Sequence, residues 1–262
     1  MKRKILMLLI ASASFTLLRA QVDTVTLTGK NRLITSQLRP ELNQYLVYFQ
    51  TAKQNKALRF WFWSRNIETA VRNNKKVFVI TQQWYTQDTS NYRSITSVNS
   101  ANDFTPLYHA ETVGNKTKAY NWTDKKIVGD DTVTNNLAKT FALDFAAPNF
   151  NWNLDIETFE MLPLAEKKSF AINFYDAGID EPKYVLYKVT GSETLTLYNK
   201  AKVDCWKLAT EGKMPNGSTY SQIFWIGKKT HEFLKEEDAF DGNYRYKVKL
   251  FADAPDLSEH FQ

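Results

Sequence analysis

Three histidines, one cysteine and one acidic run are the residues in this 262-residue chain whose types could make or break bonds. His109, His231 and His260 are far apart, and no two share the spacing of a metal-ligand pair. A single cysteine, Cys205, removes thiolate zinc sites and any internal disulfide. His109-Ala110-Glu111 matches the first half of a deaminase signature, H-x-E, but the P-C-x-x-C that completes it is absent. There is no glycine-rich phosphate loop and no G-x-S-x-G elbow. The run Glu236-Glu237-Asp238 reads as a solvated cluster beside a turn. The expectation is no catalytic residue, no metal and no cofactor. Two carboxylates brought together only by the fold would escape this reasoning.

Cys205 lies in VDCWKL (203–208), within the first of three consecutive strand-like segments at 201–210, 218–226 and 230–237. Pairing these through a tight turn at 227–229 puts Val203, Cys205, Ile223, Trp225, His231 and Phe233 on one face. That face is apolar, so the thiol reads as a small core residue rather than a nucleophile.

The elements around these residues alternate with period two. NYRYKVKLF (243–251) is the clearest: Tyr244, Tyr246, Val248 and Leu250 form a dry face, Arg245, Lys247 and Lys249 a wet one. Segments 22–28, 58–65, 76–85, 168–175, 183–189 and 193–198 behave alike, and such strands belong in antiparallel sheets. Asp241-Gly242 and Gly191-Ser192 read as hairpin turns. Between Asn135 and Leu164 the period lengthens: Leu137, Phe141 and Phe145, then Trp152, Ile156 and Phe159, predict two short helices ended by Pro148 and Pro163. The fold expected is mainly antiparallel β: a curled open sheet, or half-barrel, of about ten strands, its concave face covered by the helical insert.

Residues 1–20 have a basic start (Lys2, Arg3, Lys4), an apolar stretch and a small residue at Ala20, the layout of a secretory signal peptide. Removing it takes away four positive and no acidic charges, so the formal charge falls from +6 to +2. That near-neutral balance gives no reason to expect a nucleic-acid partner. Residues 21–262 read as one β-rich domain.

The remaining signal is aromatic: 17 Phe, 13 Tyr and 7 Trp, clustered as Phe60-Trp61-Phe62-Trp63, Trp84-Tyr85 and Phe224-Trp225. A ring-lined cavity for an apolar ligand would account for them. The residues expected to line it are Phe60, Phe62, Ile223, Trp225 and Phe233, with Trp152, Ile156 and Phe159 covering it. A one-residue slip on the 58–65 strand would exchange Phe60 and Phe62 for Trp61 and Trp63.

VDCWKLATEG, YSQIFWIGKKTHEFLKEE and YRYKVKLF, with NQYLVYFQ, RFWFWSR and DIETFEMLPL, resemble a family of exported Gram-negative proteins defined only as a domain of unknown function. The order strand block, helical insert, strand block also resembles the half-barrel of periplasmic lipoprotein carriers. These resemblances imply export to the periplasm or cell surface and an apolar cavity that holds acyl chains. The resulting expectation is a monomeric, non-catalytic envelope protein that binds a lipid or other apolar ligand and has envelope proteins as partners. A carbohydrate-binding module and a structural envelope-assembly protein are the alternatives.

Overall fold

The computed structural model describes residues 22–51, 59–214, 216–251 and 254–256; the expected signal peptide and His260 lie outside the described residues. Strand β1 (Val22–Thr24) precedes a meander of β2 (Leu42–Gln50), β3 (Arg59–Arg72), β4 (Lys75–Tyr85), β5 (Arg93–Ser100), β6 (Pro106–Val113) and β7 (Lys116–Trp122). Short strands β8 (Lys126–Gly129), β9 (Ala142–Asp144) and β10 (Phe150–Asn151) lead to the helix α1 (Asp155–Glu160). A second meander follows: β11 (Ser169–Tyr175), β12 (Lys183–Thr196), β13 (Lys202–Lys213), β14 (Thr219–Gly227), β15 (Phe233–Phe240) and β16 (Asn243–Lys249).

All of these strands belong to one 16-stranded sheet in the order β1-β11-β12-β13-β14-β15-β16-β2-β3-β4-β5-β6-β7-β8-β9, with β10 also on β11. β1 and β10 run parallel to β11, and the other pairs are antiparallel. The sheet stays open, but it curls far enough for rings from its two ends to meet. Trp122, Phe145 and Tyr175 contact one another there, with centroids 5.5, 5.6 and 6.1 Å apart. The expected architecture holds, with sixteen strands instead of about ten. The strands not expected are β2 and β5 to β10, while β12 was expected as two; β5 and β6 bury polar side chains such as Ser97, Asn99 and His109, which blurs the apolar alternation that marks a strand.

Gly191-Ser192 is not a hairpin. Residues 183–196 form one strand along β13, with a bulge between Val189 and Gly191 that Gly191 accommodates at φ +152°. Asp241-Gly242 is the expected tight turn, with φ of 48° and 72°. The first expected helix does not form. Asn136 bonds the backbone of Ala119, Asp130 and Ala138, and so ties its segment to β7 in a non-helical path. The second forms as a 3-10 turn at Trp152–Leu154 running into α1.

α1 fills the concave face. Leu154, Ile156, Phe159, Met161 and Leu162 are buried there, and Phe159 meets Phe224 and Tyr187 at 4.7 and 4.8 Å. At ~1.5–3 kcal/mol per buried large apolar side chain, these five anchor the insert as a fixed plug.

Ion pairs are buried within the same interior. β16 faces opposite to the expectation: Lys247 is 2% exposed and Tyr244 37%. Its cations meet acids on the neighbouring strand and loop: Lys247 pairs with Glu236, Arg245 with Glu236 and Asp238, and Lys249 with Glu232 and Glu41. Glu236 and Asp238 are therefore buried ion-pair partners, not a solvated cluster. Arg65 on β3 pairs with Glu157 of α1, both out of solvent. Burial opposes ionisation of Glu236, but Lys247 and Arg245 overcome it and hold its pKa below the ordinary value. Burial, with Glu236 beside it, pushes Asp238 up instead.

Candidate ligand cleft

The aromatic run Phe60–Trp63 places two rings on each side of β3. Trp61, Trp63 and Arg65 point inward with Tyr45, Val47 and Phe49 of β2; Phe60 and Phe62 point outward, Phe62 beside Tyr85. The inward assignment of Phe60 and Phe62 is thus corrected to Trp61 and Trp63. The inward row of β3 and β4 must pack against a partially ionic interior, and indoles serve this better than phenyl rings. Lys247 Nζ lies 4.3 Å from the Trp63 ring centre, and the Arg65 guanidinium 5.0 Å.

A second correction concerns β14 and β15. A bulge between Trp225 and Ile226 sets Ile226 opposite Phe233 and Trp225 opposite Lys235. Ile223 and Trp225 share a face with Cys205 as expected, but that face is the outer one; the bulge puts Phe233 on the other face, where it enters the main core with Phe224 and Ile226. Trp225 is buried on that outer side between Lys207 and Lys235, and its Nε1–H donates to Glu193 at 3.1 Å. Cys205 is fully buried beside it, and burial pushes its thiol up to about 11. Of the residues expected around one cavity, the structure brings Ile156, Phe159 and Phe233 into the packed interior and Trp152 to its margin. Phe62, Ile223 and Trp225 lie on the outer face, and Phe60 is half exposed at the rim.

At that rim a cleft of about 520 Å³ opens, lined by Arg59, Phe60, Trp61, Trp84, Thr86, Gln87, Asp88, Asn91, Arg93, Glu111 and Val113. One wall is aromatic: Trp61 stacks on Trp84 at 6.1 Å, and Trp84 meets Trp63 at 4.3 Å. The other wall is polar. Arg93 lies over Trp84 at 4.3 Å, pairs through Nε with Glu111 at 2.5 Å, and donates from Nη2 to Asn153 Oδ1 at 3.2 Å. Asp88 accepts from Ser90 O–H and N–H and from Asn91, and the Ser90 bonds lower its pKa. The sequence singled out Trp61 and Trp84, offered Glu111 only as part of an incomplete H-x-E signature and did not mark Arg93; Arg93 and Glu111 stand on β5 and β6, strands that the alternation did not reveal.

His109 lies deeper on the same inner face. Its Nδ1 accepts from Asn151 and meets Ser97 Oγ, each at 3.0 Å. Burial, then the nearby Arg93 cation, pushes its pKa down to about 3, so it stays neutral at physiological pH and is a poor proton acceptor. No group of three or more His, Cys, Asp or Glu among the described residues is arranged to hold a metal ion.

A family model described as "Protein of unknown function (DUF3108)" matches residues 44–249. The chain belongs to this family. The DUF3108 match runs from within β2 to the last residue of β16, and so contains the whole cleft, α1 and both meanders. The resemblance to a domain of unknown function therefore holds. A crystal structure of a DUF1329 family protein from Desulfovibrio piger is similar at 8% identity and a TM-score of 0.28, over 86% of this chain and 91% of that one. No curated protein matches the DUF3108 chain.

Proposed function

We propose that this protein is an exported, non-catalytic binding protein of the Gram-negative envelope, in the periplasm or at the cell surface. It works as a monomer and holds the apolar part of an amphipathic, lipid-like ligand in the rim cleft. The carrying observation is the pair of stacked indoles, Trp61 and Trp84, forming one wall of an open cleft. The expected half-barrel cavity does not serve, because α1 and the ionic pairs fill it. A ligand at the rim loses water from its apolar surface at about 25 cal/mol per Å² and keeps its polar end towards Arg93 and Glu111.

The test is native mass spectrometry of the mature protein purified from its own envelope fraction, followed by solvent extraction. The expected result is a stoichiometric adduct, absent from a Trp61→Ala/Trp84→Ala double variant that keeps its thermal midpoint. A bare mass before and after incubation with envelope lipids would sink the reading. The outward row Phe60, Tyr48 and Tyr246, with Tyr48 and Tyr246 stacked at 4.9 Å, would then favour the envelope-assembly alternative.

A further inference from the structure

We infer that the cleft selects a neutral, hydroxylated headgroup, that is, the sugar of a glycoside, over an anionic one such as a phosphate or carboxylate. The inference rests on the binding reading above and names the chemistry of the ligand's polar end.

Three observations carry it. The first is charge balance: the lining holds two guanidinium groups, Arg59 and Arg93, and two carboxylates, Asp88 and Glu111. An anion entering would meet as much negative as positive charge. A site built for phosphate presents an excess of donors and cations.

The second is the pairing of donor and acceptor at one spot. Arg93 sets Nε against Glu111 Oε1 as an ion pair without hydrogen-bond geometry and donates from Nη2 to Asn153, and Nη1 makes no hydrogen bond among the described residues. Glu111 faces Arg93 with Oε1 as an ion pair, and Oε2 has no hydrogen-bond donor among them. A hydroxyl both donates and accepts, so neighbouring hydroxyls can satisfy Nη1 and Oε2 together. A phosphate oxygen or an ionised carboxylate has no hydrogen to give to Oε2, and would leave it facing another negative charge.

The third is the geometry of the walls. The Arg93 guanidinium lies against Trp84 and is fixed by Glu111 and Asn153, so the polar pair is preorganised beside the ring stack. A pyranose has an apolar C–H face and a rim of hydroxyls, and it fits with that face on the rim rings Phe60 and Trp61 and its hydroxyls turned towards Arg93 and Glu111.

Tryptophan fluorescence titration tests the inference on the mature full chain, with probes held below their micelle concentrations. The probes are n-octyl β-glucoside, n-octyl β-galactoside, n-octyl phosphate, octanoate and methyl β-glucoside. At least one octyl glycoside should bind at least about tenfold tighter than octyl phosphate or octanoate, the discrimination expected for one charge-assisted hydrogen bond. Glu111→Gln, with its thermal midpoint and near-ultraviolet circular dichroism checked, should weaken the glycoside about tenfold and leave octyl phosphate unchanged or tighter. Glu111→Asp, which keeps the charge, should retain the preference for glycosides.

Octyl phosphate or octanoate binding as tightly as both glycosides, in a Trp84-dependent way, would overturn the headgroup inference and leave the binding reading intact. Methyl β-glucoside binding as tightly as its octyl counterpart would keep the sugar and remove the lipid. No response to any probe would overturn both.

Discussion

Glu160→Gln retains the acceptor that Phe233 N–H uses at 2.8 Å and removes a single titration from the interior. It therefore isolates the effect of one buried carboxyl on stability. Burial first, then the negative charges of Glu157 and Glu41, push Glu160 from an ordinary 4.5 up to about 8, against the pull of Phe233 N–H and Lys249. Between those two pH values the folded chain keeps a proton that the unfolded chain has released. Stability therefore falls as pH rises across that window, and the loss is complete above about 8. At ~1.4 kcal/mol per pH unit, moving from pH 6 to pH 9 costs the folded wild type about 3 kcal/mol at this residue. The glutamine variant does not titrate and avoids that loss. Urea unfolding of both proteins at both pH values gives the double difference, in which the other titrating groups cancel. The variant should gain about 3 kcal/mol on the wild type between pH 6 and pH 9, and a gain below about 0.5 kcal/mol would refute the argument.

Three further outcomes follow from named contacts. Arg65→Met strands Glu157 as an unpaired buried charge and should cost about 3–5 kcal/mol in urea unfolding, most of it recovered by adding Glu157→Leu. Gly129→Ala places a Cβ 1.8 Å from the Ala138 carbonyl oxygen. It should destabilise by about 3 kcal/mol and weaken the near-ultraviolet signal of the Tyr120–Trp122 cluster. Cys205, buried and pushed up to about 11, should not react with a disulfide reagent at pH 8 until urea unfolds the chain, when one equivalent should be released.

The legible parts of the fold were those decided locally. Asp241-Gly242 makes its turn because both residue types tolerate positive φ, and Ile156 with Phe159 marks α1 by its spacing. What could not be read was which side of a strand faces in. β16 alternates clearly, but its Arg245 and Lys247 point inward because Glu236 and Asp238 on β15 await them, and pairing partners are set by the tertiary structure. One bulge opposite Trp225–Ile226 was enough to move Phe233 from the Trp225 face to the core beside Ile226. The candidate site was half visible: its indoles stood out by type, whereas Arg93 and Glu111 acquire meaning only when β5 and β6 lie side by side.

The seam between the two meanders also sets the order in which this molecule can be completed. Tyr48 on β2 has Tyr246 on β16 as its neighbour, so one side of β2 stays unpaired until almost the whole chain exists. β1 waits likewise for β11. Closing such distant pairings is slow, and hairpins such as β3–β4 form long before the seam does. A chain delivered from its N-terminus thus stays unfinished, with its β2 edge exposed, until its last strand arrives. In that interval a protein that shields β2 would protect it from pairing with another copy.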